Sequence, residues 1–146
     1  ARLRIVGGGQ ESGMTYIEKV ILIDAPIQRV WGAITNPDDM GEWMFDETVM
    51  VNLQPGGEYA VFDQQTTGLF SIIEAPYLVE YTWRQATWPM EWPDSIVRWE
   101  LTPQGEQTQV RLLHGNFPTD DELRGHDAGW DAYWLGPMKD WLEDVV

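Results

Sequence analysis

Two amphipathic segments near opposite ends of the chain, with a run of short alternating stretches between them, limit the possible folds more than any other feature. Within residues 23–44 (IDAPIQRVWGAITNPDDMGEWM), Ile27, Val30, Trp31 and Ile34 recur at the i, i+3, i+4, i+7 spacing of one helical face. Asp24 is placed to cap that helix, Pro26 stands where a missing N–H costs nothing, and Asn36-Pro37 ends it. Residues 37–43 then predict a second short helix. At the other end, Trp130, Trp134, Met138, Trp141 and Val145 recur at steps of four, four, three and four, which predicts a long C-terminal helix with one apolar face. Thr119 or Asp120 is available as its cap, and acidic residues fill its first turn, where the helix dipole favours them. Gly136-Pro137 interrupts the pattern and predicts a kink or a break, because proline removes one helical hydrogen bond and crowds the carbonyl four residues back.

Between these arms the period changes to two. Strands are expected at 15–23, 49–53, 58–63, 68–74, 78–84, 96–102 and 107–114, separated by turn chemistry at Pro55-Gly56-Gly57, Gln64-Gln65-Thr66, Ala75-Pro76 and Pro103-Gln104-Gly105. Short connections of this kind imply an antiparallel meander. The longer link at 85–94, with two tryptophans and two prolines, is the expected mobile rim. The predicted class is α+β: a curved antiparallel sheet of six to seven strands wrapped around a long C-terminal helix, with two short helices after the first strand. Residues 1–13 read as a flexible lead, and 14–146 as a single domain. Two motif matches in the lead are coincidences. IVGG has no nucleophile segment after it, and GGGQESG precedes a strand where dinucleotide binding needs a helix N-terminus.

With 24 acidic residues against 9 basic, the net charge of −15 repels phosphate backbones and anionic headgroups, so no nucleic acid and no membrane insertion are expected. No cysteine is present, which removes disulfides and thiolate chemistry. No apolar run is long enough to span a bilayer and no signal-peptide core stands at the N-terminus, so a cytoplasmic protein is expected. Neither a cofactor nor a metal is expected; Asp127 and Asp131 share a helical face from which His126 turns away.

The pattern resembles the START-related SRPBCC superfamily, the helix-grip fold, in its branch similar to the activator of heat-shock protein 90 ATPase. The matching segments are APIQRVWGAITNPDDMGEWM, PGGEY at 55–59, the stretch from Gly68 to the EAP at 74–76, LVEYTW at 78–83, SIVRWELTPQGEQTQVRLLHGNF at 95–117 and the closing WDAYWLGPMKDWLE. The resemblance implies a cavity between sheet and helix. It also implies relatives similar to lipid carriers, hormone receptors and cyclases, so the fold alone does not define a role.

Strand parity suggests what lines such a cavity. Val79, Tyr81 and Trp83 share a face, as do Val97, Trp99 and Leu101, and Val110, Leu112 and His114. The candidate ligand-binding residues are Trp43 and Phe45 at the entrance, Tyr59, Phe70, Tyr81, Trp83 and Trp99 on the sheet, His114 as polar contact, and Trp130 and Trp134 on the helix. The same indoles can equally fill the interior with no room left. No arginine or lysine faces inward, so the expected partner is a small hydrophobic ligand, neutral or else cationic. A non-enzymatic binding or transport role leads. The alternatives are a cyclase, hydratase or isomerase with His114 and Tyr81 managing protons, and a chaperone-associated module.

Overall fold

The computed structural model describes residues 15–144; the expected lead at 1–13 lies outside them, as does Val145. Strand β1 (Tyr16–Ile23) leads into α1 (Ile27–Thr35) and α2 (Pro37–Met44), and then come β2 (Met50–Val51), β3 (Glu58–Val61), β4 (Thr66–Glu74), β5 (Leu78–Gln85), β6 (Ser95–Gln104) and β7 (Gln107–Gly115). A helical rod then runs through α3 (Asp120–Gly129), a π-helical turn (Trp130–Leu135) and α4 (Gly136–Glu143). The seven strands form one antiparallel sheet in the order β1-β7-β6-β5-β4-β3-β2. Each strand from β2 to β7 pairs with its neighbour in sequence, and β1 closes onto β7, as short connections dictate.

The predicted parity holds across the centre of the sheet. Val79, Tyr81, Trp83, Val97, Trp99, Leu101, Val110, Leu112 and His114 are all buried on the face that carries the helices. A bulge between Phe70 and Ile72 shifts the β4 register, yet Phe70 stays on the inner face against Tyr59 and Tyr81. On the outer face, Arg98 bridges Glu80 and Glu100, and Arg111 bridges Glu100 and Glu18, a chain of ion pairs that laces β1, β7, β6 and β5 together.

Three local expectations are corrected. Pro26, with extended backbone angles, is the N-cap of α1; Asp24 instead donates its backbone N–H to Glu143 Oε2, tying the start of α1 to the end of α4. Strand β3 stops at Val61, short of the expected 63, because Phe62, Asp63 and Gln64 all take the left-handed conformation, with φ of 55°, 55° and 66°. Each such residue costs of order 1–2 kcal/mol in an L-amino acid, so other contacts must hold the turn. Asp46 and Thr48 do so: Phe62 N–H donates to Asp46 Oδ2 at 2.6 Å and Asp63 N–H to Thr48 Oγ1 at 2.7 Å. Burial alone would raise the Asp46 pKa, but hydrogen bonds from the Thr48 hydroxyl and from the Phe62 and Thr48 amides outweigh it and hold the carboxyl below its ordinary value.

The third correction concerns the last helix, which neither breaks nor keeps a plain α pitch. A π turn absorbs Pro137: Gly136 N–H reaches back to Asp131 O, and the wider turn accommodates a residue that has no N–H to give and would crowd the Tyr133 carbonyl. The wide turn also rotates the helical phase of α4. After Met138 the inward residue is Leu142, 1 % exposed, while Trp141 moves to the rim, where it donates to Glu42 and lies under Arg29.

Candidate functional site

The sequence-predicted residues separate into two aromatic clusters, a solitary Phe45 and the buried His114. Trp83 on β5 and Trp130 and Trp134 on the π turn are mutual neighbours, with ring centroids 5.0 Å, 4.9 Å and 5.8 Å apart. Trp99 and Trp43 press against them from behind: Trp99 contacts Trp130 and Trp134, and Trp43 meets Trp134 edge-on while donating to Ala33 O. A second cluster holds Tyr59, Phe70 and Tyr81, with the Tyr59 and Tyr81 rings 4.5 Å apart. Trp99 Nε1–H donates to the Tyr81 hydroxyl at 2.9 Å. Burial pushes both tyrosine hydroxyls up from their ordinary pKa, with nearby Tyr81 and Asp94 adding to the effect at Tyr59. Phe45 stands apart, 94 % exposed in a left-handed position that ends α2.

His114 is fully buried behind Trp83 and Trp130. An indole N–H can only donate, so the 2.9 Å bond from Trp130 Nε1 makes His114 Nδ1 an acceptor and leaves the proton on Nε2. Nε2–H therefore donates to Ser95 Oγ at 2.7 Å, and the Ser95 hydroxyl in turn donates a hydrogen bond to Trp83 O at 3.0 Å. Desolvation, and next the neighbouring His126, hold the His114 pKa well below its ordinary value, so this ring is a neutral structural hub.

Two hollows flank the sheet: a smaller one of about 320 Å³ over β3 and β4, with Tyr59 in its wall, and a larger one at one end of the tryptophan cluster. A cleft of about 520 Å³ separates the N-terminal half of the helical rod from the tips of β3, β4 and β5. One wall is sheet-derived: Phe62, Gln65, Thr66, Trp83, Gln85, Ala86 and Thr87. The other is helical: Asp121, Glu122, Gly125, His126, Gly129, Trp130, Tyr133 and Trp134. Of the ten candidates, Trp83, Trp130 and Trp134 line it, while the remaining seven do not. Thus the indoles interlock beneath the centre of the sheet and leave space beside it, where the strained 62–64 turn and the exposed ring of Tyr133 form the mouth.

The polar groups of the cleft form one relay. Thr66 Oγ1 donates to Gln85 Oε1, and His126 Nε2 accepts from Trp83 Nε1–H at 3.1 Å with the Gln85 amide at 3.4 Å. The His126 proton therefore sits on Nδ1 and is donated to Glu122 O at 2.8 Å. Trp88, buried in the 85–94 loop, donates to Glu122 Oε1 at 2.9 Å. Arg84 ties that loop down through the carbonyls of Trp88, Pro89 and Trp92, so the expected mobile rim is fastened to β5. Among the described residues no group of three or more metal-ligating side chains converges; Asp127 and Asp131 pair with Lys19 instead.

The sequence suggests His126 only as a metal ligand, Glu122 only as part of a solvated acidic helix end, and Gly125, Gly129 and Tyr133 not at all. Their signal was present, since 122, 125, 126, 129, 130 and 133 trace one helical face; the face is polar and glycine-rich at its start, so apolar periodicity does not mark it.

A curved antiparallel sheet gripping a long C-terminal helix is the helix-grip architecture. The family model of activator of Hsp90 ATPase homolog 1-like proteins matches residues 24–143, and the chain belongs to that family. No curated protein sequence matches it. Among solved structures, it is similar to an HSP90 activator from Plasmodium falciparum (21 % identity, TM-score 0.81, 88 % of this chain and 96 % of that one). It is also similar to CalU16 from Micromonospora echinospora (26 %, TM-score 0.74, 88 % and 76 %) and to the Aha1 dimer of Colwellia psychrerythraea (21 %, TM-score 0.76, 90 % and 98 %). Among the described residues no helix is long and apolar enough to cross a membrane.

Proposed function

We propose that this protein binds a small hydrophobic ligand, neutral or cationic, in the cleft between the tips of the sheet and the C-terminal helix. The observation that carries this reading is the cleft itself: about 520 Å³, with Trp83, Trp130 and Trp134 in its walls and a few convergent polar groups beside them. That combination of apolar walls and sparse polar groups suits a small organic guest. The π turn and the strained 62–64 turn both lie at its edge, and irregular backbone of this kind gathers at ligand sites.

Fluorescence titration with a panel of lipids, flavonoids and fused aromatics tests the proposal, because three of the reporting indoles are in the cleft wall. Saturable quenching or a blue shift supports it; emission unmoved by every compound refutes it. No observation favours a catalytic role for His114 and Tyr81. Both rings are sealed away from the cleft, and the histidine has both nitrogens engaged. A chaperone contact is the second reading, favoured by membership of the Hsp90-activator-like family. Pull-down with the chaperone is its test.

A further inference from the structure

Resting on the reading that the cleft holds a guest, we propose that this guest is an amphipathic amine, its apolar body against Trp83, Trp130 and Trp134 and its ammonium on Glu122. The lining carries charge of one sign: Asp121 and Glu122 are in it, and no lysine or arginine is. The nearest candidates for neutralising Glu122 are all committed elsewhere. Arg124 pairs with Asp121 on the solvent side, and Arg84 is turned into the 85–94 loop and onto Asp94. His126 Nδ1 is 3.8 Å from Glu122 Oε1, but the ring is neutral by its hydrogen bonds, since Nε2 must accept from Trp83.

Glu122 is thus a half-buried carboxylate on the cleft wall, with no lysine or arginine partner among the described residues. Trp88 Nε1–H holds its Oε1 in place. The neighbouring indoles add the second half of the recognition. Trp83 and Trp130 use their N–H groups on the two histidines, so neither has a hydrogen bond to give a guest, and what they can contribute is their aromatic systems, whose π faces attract cations. An anionic guest would meet the unpaired Glu122 carboxylate and no lysine or arginine in the lining, since Arg124 is already engaged by Asp121. A neutral guest would leave the Glu122 charge unused.

Calorimetric titration of the whole protein with three near-isosteric probes, naphthylethylammonium, naphthylethanol and naphthylacetate, separates these cases. The ammonium is expected to bind about tenfold more tightly than the alcohol, equivalent to about 1.4 kcal/mol, and the acetate more weakly still. In Glu122→Gln, which keeps an oxygen for Trp88 to donate to, the ammonium should lose most of its advantage over the alcohol, whose own affinity should change far less. Raising the salt should shrink the preference of the unmodified protein. If ammonium and alcohol bind alike, or if the preference survives in Glu122→Gln, the inference is overturned and the binding function stands. If none of the three probes binds, the binding function falls and the inference with it.

Discussion

Lowering the pH below the ordinary histidine range should destabilise this protein through a single buried ring. His114 has no exposed surface, accepts from Trp130 through Nδ1 and donates to Ser95 through Nε2, so a second proton has nowhere to go without breaking the Trp130 bond. Its folded pKa is depressed, by desolvation first and by His126 second. In the unfolded chain the same ring titrates near its ordinary value, about 6.5. As pH falls through that value the unfolded state takes up a proton that the native state refuses, and stability drops with it. Integrating that difference from about pH 7 to about pH 5 gives a loss of about 2 kcal/mol, provided the native ring stays neutral throughout. Over this window the carboxyls held low in the native state, Asp46, Glu100 and Glu143, contribute little slope, because in the unfolded chain too they stay mostly ionised above about pH 5. The decline of the net charge of −15 toward zero acts in the stabilising direction, so the comparison must be with a variant that shares it.

His114→Gln supplies that reference. It should be less stable at neutral pH, by about 1–3 kcal/mol for the imperfectly satisfied Trp130 and Ser95 groups. Against pH, however, its stability should run flatter than that of the unmodified protein. Urea unfolding monitored by tryptophan emission across this range, with m-values checked for constancy, measures both curves. Parallel curves would refute the assignment of His114 as a neutral, proton-refusing hub.

Other perturbations have equally definite outcomes. In Gly68→Ala the new methyl group would land on the Thr82 carbonyl oxygen and the Tyr59 ring, so thermal unfolding should show a loss of about 3 kcal/mol, or no folded protein at all. Asp46→Ala removes the acceptor that holds Phe62 in its left-handed turn and should cost about 2–3 kcal/mol in denaturant unfolding. In the unmodified protein, the contribution tied to the low Asp46 pKa is present at neutral pH and is lost only as pH falls below the ordinary carboxylate range, a step that Asp46→Ala should lack. Pro137→Ala restores an N–H behind the π turn, so amide exchange across residues 130–136 should slow as the turn tightens toward α pitch, and ligand affinity should fall because Trp130 and Trp134 both sit on that turn.

The strands and helices were legible because each carries its period openly: Val79-Tyr81-Trp83 and Val97-Trp99-Leu101 alternate, and α1 repeats at helical spacing. The location of the empty space was not. Parity assigns Tyr81, Trp99 and His114 to the inner face but is silent on whether side chains there meet, and in the fold they do. The cleft depends instead on contacts distant in sequence. Asp46 clasps Phe62 across 16 residues and Trp83 reaches His126 across 43, and neither pairing has a local signature. Trp141 and Leu142 exchanged roles for a similar reason. The π turn that Pro137 provokes changes the phase of the helix, and a fixed step along the sequence cannot anticipate it.

Gly125 offers the most direct test of the cleft. It lines the helical wall of a cleft of about 520 Å³, and a Cβ built there meets no atom within 4 Å, so a side chain can start there without displacing a neighbour and extend into the open cleft. Replacing a helical glycine is also favourable to the helix, by up to about 1 kcal/mol. Gly125→Phe should therefore unfold at or above the temperature of the unmodified protein, yet bind the tightest compound from the fluorescence panel at least about tenfold more weakly, since its ring would occupy the guest's place. Undiminished affinity in a stably folded Gly125→Phe protein would contradict the account, because the ligand would then be binding somewhere other than beneath the helix.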